Sequence, residues 1–502
     1  MPEHHPTPFP LRRYPLVLLI LLYLALGTLF AWLTPAWQAP DEPAHYNYIR
    51  HLATQARFPV LQMGDYPHSY LEEIKARRFP PDLSIEPIRY EFHQPPLYYM
   101  LLTPFYTLAA GSLLALRLVS VLLGAGTIVV AWGIGRRLFP QRPAVGLGAA
   151  AFVAFLPQHL ASVSQVGNDA LAELLFALVL WMLVEQVSRE PEEVPAARTN
   201  ARGGLSGEGV RLGVLLGLIL ITKTTAYIAL PLAVGVWIWR WWRQRAGLRQ
   251  VIGEAVAIAV PALLIALPWY ARNVAVYGWP DFLGLIRHDA VVVGQMRTAT
   301  YLAQYGWGDY GRRLVEFTFK SFWGVFGWLG AFMDSRVYFA LMLVSLVAAG
   351  GLLLRLLNRA ATAAPMARAA CLLGWVSALT LFSYAWYNVQ FVQHQGRYLF
   401  MALIPVALAF ALGWEGALLP RCSRWLAAGL LLLAVGLVAW GLLTGRGLPK
   451  WPLALTLAAS AALAARPLLP RRLDPLLVAL PYAWLPLVSL YALFGVIVPQ
   501  LR

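Results

Sequence analysis

Asp41 and Glu42 stand side by side in the stretch APDEPAHY, just past an apolar run of about twenty residues, with His45 close behind. A carboxylate at the mouth of a membrane span is partly desolvated. That lifts its pKa toward neutrality and suits it to act as a general base. The same residues carry a structural reading. Pro40 and Pro43 bracket the acids, and a proline disfavours helix in the residue before it. Asp41 is therefore equally suited to cap a surface helix starting at Glu42 or Pro43. In YEFHQPPLYY, Glu91, His93 and Gln94 precede a Pro-Pro step. These types, with His45 and the two acids, would suit a metal site, but no two share a diagnostic ligand spacing; His93 reads as well as a hydrogen-bonded loop histidine. Lys223 in ITKTTAY, Arg272 in PWYARN and Arg397 in QGRYLF, with Tyr398 beside it, fall at the outer ends of apolar runs. Long basic side chains snorkel readily. Three of them on one face also suit a phosphate or pyrophosphate. In SQVGNDALAELL, Asn168 and Asp169 open a span where the helix dipole favours an acid, and Glu173 follows one turn further in. An ionised group at mid-span costs about 2.5–3.5 kcal/mol, so each of these needs a partner or a function.

The elements that position them are membrane helices. The chain has 502 residues, 59% hydrophobic and 13% charged, with repeated apolar runs long enough to span a bilayer and no barrel-like alternation. The formal charge of +16 comes largely from arginines in short loops between spans, as the positive-inside bias requires. No basic stripe interleaves with aromatics, which excludes a nucleic-acid partner. Cys371 and Cys422 form no CxxC pair, and no small-residue cleavage site follows the first span. Arg12 and Arg13 put the N-terminus in the cytoplasm and residues 35–114 outside, with the short run at 96–111, interrupted by Pro104, lying in the interface. Spans are expected at 15–34, 115–135, 143–160, 170–187, 212–222, 226–239, 251–270, 337–355, 369–386, 398–414, 425–443, 451–465 and 476–498, about thirteen in all. The cytoplasmic stretch 188–211 reads as disordered, and 271–335 as a second outer loop. The fold class is all-α and polytopic, with interfacial helices on the first outer loop.

Taken together, PDEPAHY, HQPPLYY, NDAL, TK, WYARNVAVYGWP, SFWGVFGW and QGRYLF resemble motifs of the GT-C superfamily of membrane glycosyltransferases. The branch they are most like is that of protein O-mannosyltransferases and the aminoarabinose-to-lipid-A transferase, including bacterial members with DEPAH and QGRY patterns. The likeness runs over about residues 10–415, so residues 1–415 are expected to form the catalytic module and 416–502 to add helices of unassigned role. The resemblance implies an inverting transfer of a hexosyl or pentosyl group from a polyprenyl-phosphate donor at the outer leaflet of the plasma membrane. Asp41 is then the base, with Glu42 as runner-up. Lys223, Arg272, Arg397 and Tyr398 would hold the donor phosphate. His45, Glu91, His93, Gln94, Asn168 and Asp169 would line the acceptor or sugar pocket. The chain lacks the DxD pair of oligosaccharyltransferases, so no cofactor is required on this reading, although a divalent metal stays open. The acceptor could be a protein, a glycolipid or a polysaccharide.

Two other readings fit a large helical bundle. A flippase should show internal repeats and mid-membrane charges, and neither is seen. A polymerase or ligase of lipid-linked glycans also works on the outer face, but should rely on cations with no acid committed as base.

Overall fold

The computed structural model describes residues 14–189, 207–244, 247–357, 364–445 and 447–502, and these are predominantly helical. Helix α1 (Tyr14–Leu33) buries Leu19, Tyr23, Leu26 and Phe30 at helical spacing. Its opposite face leaves Leu18, Leu21 and Trp32 exposed, as a lipid-facing surface requires. The segment after α1 then folds as α2 (Glu42–Gln55), α3 (His68–Ala76), a 3-10 turn (Tyr90–His93) and α4 (Leu97–Leu108). At 12 residues α4 is too short to span. It buries Tyr98, Tyr99 and Leu102 and exposes Met100, Leu101 and Phe105, an interfacial pattern.

Helices α5 (Leu113–Leu138), α6 (Pro143–Phe155), α7 (Pro157–Val163), α8 (Asp169–Ser188), α9 (Gly207–Leu220), α10 (Ala229–Gln244) and α11 (Leu248–Tyr277) follow. The segment after α11 carries α12 (Leu285–Val291), α13 (Thr298–Trp323) and a hairpin of β1 (Val325–Phe326) and β2 (Ala331–Phe332). The last helices are α14 (Ser335–Leu357), α15 (Ala364–Gln390), α16 (Leu403–Ala417), α17 (Pro420–Leu443), α18 (Lys450–Ala465), α19 (Asp474–Tyr491) and α20 (Val498–Leu501). The core forms where α5 meets α1, α6 and α8. Helices α14 and α16 cross at small residues: a Cβ on Gly351 would lie 2.2 Å from the Gly413 carbonyl oxygen, so only glycine permits this approach.

Nine helical segments among the described residues are long and apolar enough to cross a membrane, so the protein is a multi-pass membrane protein. A tenth is counted if α6 and α7, bent by 63°, form one span. The bend follows from Pro157, which holds Leu156 in extended backbone. Every expected span coincides with a helix, α16 being extended by the 3-10 turn Gly396–Ala402 before it, but three are short. Helix α9 has 14 residues, and α10 and α18 have 16 each. At 1.5 Å per residue they reach roughly 21–24 Å against a hydrocarbon core of about 30 Å. The expected disordered stretch lies mostly outside the described residues, and its end, from Gly207, is already helical in α9. The outer segment 271–335 is mainly helix rather than loop, because α11 runs on to Tyr277 and α13 spans 26 residues.

Candidate active site

The chain leaves α1 at Leu33 and turns through Pro35 and Pro40, where no backbone N–H can continue the helix. Asp41 ends this turn with φ at 68°, a left-handed conformation uncommon for a residue with a Cβ. It occupies the position before α2, but its side chain makes no capping bond to that helix. The capping role expected of Asp41 is therefore not observed. Its Oδ1 accepts from the Tyr90 hydroxyl at 2.9 Å, and its Oδ2 accepts from Arg397 Nη2 at 2.9 Å. The Asp41 side chain keeps 29% of its surface exposed. Burial raises its pKa, but Arg397 and His45, with the bonds from Arg397 and Tyr90, outweigh this and hold the carboxyl below its usual range. Strained backbone, an unused cap and a clasped but open carboxylate are the marks of a functional group.

Arg397 is itself aimed. Its Nε donates to Gln395 Oε1 at 2.8 Å, and Gln395 Nε2 donates to Gln393 Oε1 at 2.6 Å. Gly396 lets this loop press on α13: a Cβ there would lie 2.2 Å from the Phe322 backbone nitrogen. Tyr398 packs edge-on against Tyr387 beside the guanidinium. On the other flank, Lys223 Nζ donates to Asp169 Oδ1 at 2.7 Å. Asp169 lies within electrostatic reach of Arg397 and His45, so these groups form one charged cluster.

His45 shares a 2.8 Å hydrogen bond with the Tyr99 hydroxyl. Burial pushes its pKa down, against the pull of Glu91 and Asp41, so it is neutral near pH 7. Glu91 is 8% exposed, and its Oε2 is buried with no hydrogen-bond partner. Asn168 Nδ2 donates to Gln94 Oε1 at 3.3 Å, while its Oδ1 is likewise unpartnered. Beside Pro40, a cleft that reaches Arg397 is lined by Gln38, Ser162, Ser164 and Gln165 together with apolar residues such as Val325, Phe326 and Leu501. Gln38 Nε2 and Ser164 Oγ have no partner there.

Four residues singled out by the sequence sit apart from this cluster. Glu42 is fully buried. Its carboxylate takes Arg117 Nε at 2.8 Å and Nη2 at 2.6 Å, as well as the Val166 backbone N–H at 3.1 Å. With every acceptor site engaged and no exposed surface, it is a structural ion pair, not an available base. Arg272 donates to the Pro59 carbonyl and stacks on Trp269; no contact joins it to Asp41, Arg397 or Lys223. His93 stands one layer behind, its Nδ1 3.0 Å from the Tyr90 carbonyl oxygen, and burial pushes its pKa down to about 4. Glu173 is paired with His159 at 2.8 Å inside the bundle. Sequence reasoning missed Tyr90 and Arg117. Nothing distinguishes Tyr90 from its tyrosine-rich surroundings. Arg117 carried a signal, being a lone cation in the run LLALRLVSVLL.

Among the described residues, no three His, Cys, Asp or Glu side chains gather as metal ligands. What the arrangement offers is an ionised carboxylate oriented by Arg397, with a second cation–acid pair, Lys223 and Asp169, in the same cluster.

The helical membrane bundle shares its fold with solved structures of ArnT. Residues 62–282 match the family model described as dolichyl-phosphate-mannose-protein mannosyltransferase. ArnT from Cupriavidus metallidurans bound to undecaprenyl phosphate shares 18% identity, with a TM-score of 0.51 over 96% of this chain and 77% of that one. Its apo form agrees equally well, with a TM-score of 0.51 over 95% and 76%. The archaeal oligosaccharyltransferase AglB from Archaeoglobus fulgidus, in complex with an inhibitory peptide and a dolichol-phosphate, is more distant: 13% identity and a TM-score of 0.45 over 91% and 56%. No curated protein matches the sequence. The resemblance drawn from the motifs to the mannosyltransferase and ArnT branch thus holds in the family model and in the fold.

Proposed function

We propose that this protein is an inverting glycosyltransferase that moves a hexosyl or pentosyl group from a polyprenyl-phosphate donor to an acceptor hydroxyl at the outer face of the plasma membrane. The observation that carries this reading is Asp41: a partly exposed carboxylate in a left-handed turn, released from capping and oriented by Tyr90 and Arg397. The family model and the fold support the class.

In the proposed reaction the acceptor oxygen attacks the anomeric carbon and gives its proton to Asp41. The bond from that carbon to the phosphate oxygen breaks, and its electron pair leaves with the lipid phosphate. Inversion requires base and leaving group on opposite faces of the sugar. Arg397 touches the base directly, so it serves as an orienting residue, with Gln395 steering it and Tyr398 beside it. Lys223, on the far flank with Asp169, is then the cation for the departing phosphate. His45, Glu91, Gln94 and Asn168 present neutral or acceptor groups to the sugar and the acceptor hydroxyl. Each acid nearest the reaction already faces a cation, Asp41 to Arg397 and Asp169 to Lys223. We therefore expect transfer without a resident metal. Residues 1–415 would form the catalytic module, with 416–502 accessory to it. Protein, glycolipid and polysaccharide acceptors all offer the required hydroxyl.

The test is Asp41→Asn in purified protein, with transfer read from a radiolabelled polyprenyl-phosphate sugar. The expected loss is about 10²–10⁴-fold, with donor binding retained. Full transfer by this variant would remove Asp41 from the role.

A further inference from the structure

Helix α2 has two chemical faces. Asp41 and His45 look toward the active site, whereas Asn47, Arg50, His51 and Thr54 recur at helical spacing on the other side. This second stripe, with Gln55, walls a cavity of about 210 Å³, closed opposite by Glu86, Arg89 and Phe92. Both walls are the backs of segments that carry active-site groups, because Arg89 and Phe92 flank Tyr90 and Glu91. The proposed reaction uses none of the cavity's residues.

Its floor is polar and unsatisfied. Asn47 is 4% exposed. Its Nδ2 donates to the carbonyls of Ile85 at 2.7 Å and Ile88 at 2.8 Å. Those bonds fix the amide, leaving Oδ1 a buried acceptor without a donor. His51 Nε2 is also buried without a partner. Burial, then Arg57 and Arg89, lower the pKa of that imidazole and keep it neutral. The rim carries two arginines and one acid, Glu86. Arg50 is paired with Glu86, but Arg89 meets Asp65 only at 3.7 Å and keeps 47% of its side chain exposed. A ligand that completes this site brings a hydroxyl to Asn47 and a carboxylate to Arg89. The volume is on the scale of one monosaccharide.

We propose that this cavity is a second carbohydrate site, taking one uronic-acid unit with ring hydroxyls on Asn47 and His51 and the carboxylate on Arg89. A neutral sugar leaves the guanidinium unanswered, and a bare carboxylate leaves Asn47 without a donor. The inference goes beyond the transferase reading and does not depend on it.

The probe is methyl glucuronoside, titrated by calorimetry into the purified full chain in detergent, with methyl glucoside, acetate and glycerol phosphate as comparisons. Methyl glucuronoside is expected to bind saturably and at least tenfold more tightly than each comparison. Arg89→Gln and His51→Phe should each weaken it at least tenfold, while Arg89→Gln leaves transfer to a short neutral acceptor unchanged. Three results would overturn the site: no saturable binding, equal or tighter binding of any comparison, or full binding by both variants. Binding is read without catalysis, so a protein that binds the glucuronoside but transfers nothing counts against the transferase alone.

Discussion

Asp41 stands under two opposed influences, burial that raises its pKa and the Arg397 guanidinium that lowers it, and the second wins. The carboxylate is therefore ionised throughout the physiological range. The acid limb of kcat/KM reports the base of the free enzyme, so it should lie below the ordinary aspartate value of about 3.9. Arg397→Gln leaves burial unopposed by a full charge, and the limb should move up in pH. A limb that stays put in that variant would show that Asp41 is not the titrating base. The sign for stability is the same. A depressed pKa contributes stability above the ordinary carboxylate range, and the contribution fades as the pH falls through the folded-state value.

Between elements, the Glu42–Arg117 pair joins the start of α2 to α5. Arg117 Nη1 also donates to the carbonyls of Ala31 at 2.9 Å and Thr34 at 2.7 Å, so one guanidinium closes the last turn of α1 and fixes the loop that presents Asp41. Removing one partner of a buried pair costs on the order of 3–5 kcal/mol. Glu42→Gln should therefore lower the thermal midpoint in detergent markedly while its folded fraction keeps donor binding and transfer. An unchanged midpoint with lost transfer would return Glu42 to the chemistry. The two neighbouring acids show what was legible in the sequence. Helix positions, the interfacial α4 and the start of α2 at Glu42 follow from apolar periodicity and prolines, which are local properties. Which acid is sealed and which is open depends on Arg117 and Arg397, 75 and 356 residues away in the chain. No local pattern encodes those pairings. Arg272 fails as an active-site group for the same reason: the Pro59 carbonyl that takes it is 213 residues distant.

At the scale of the whole bundle, close contacts count the crossings that helix length leaves open. Two groups in contact lie on one face, so an even number of traverses separates them. Glu42 meets the Val166 backbone, which makes bent α6 and α7 a single return after α5. Asp169 meets Lys223, so α9 must bring the chain back after α8 despite its 14 residues. Arg272 meets Pro59, so α10 must traverse before α11 returns. Arg397 meets Asp41, and Arg78 meets the Arg502 carbonyl. Helices α16, α17, α18 and α19 must then make an even number of crossings between these faces. With the other three long enough to span, α18 must traverse as well. Whereas nine helical segments among the described residues, or ten with α6 and α7 joined, are long and apolar enough on their own, the contacts on this count call for thirteen crossings. This places the loop at Thr444 on the Asp41 face and the loop at Gln141 on the opposite one. After replacement of Cys371 and Cys422 by alanine, single cysteines at exposed Ser84, Gln141 and Thr444 test it with a membrane-impermeant maleimide. Ser84→Cys and Thr444→Cys should label in intact cells, and Gln141→Cys only after permeabilisation. Protection of Thr444→Cys in intact cells, with Ser84→Cys labelled, would mean that the C-terminal helices do not thread as the Arg78–Arg502 contact requires.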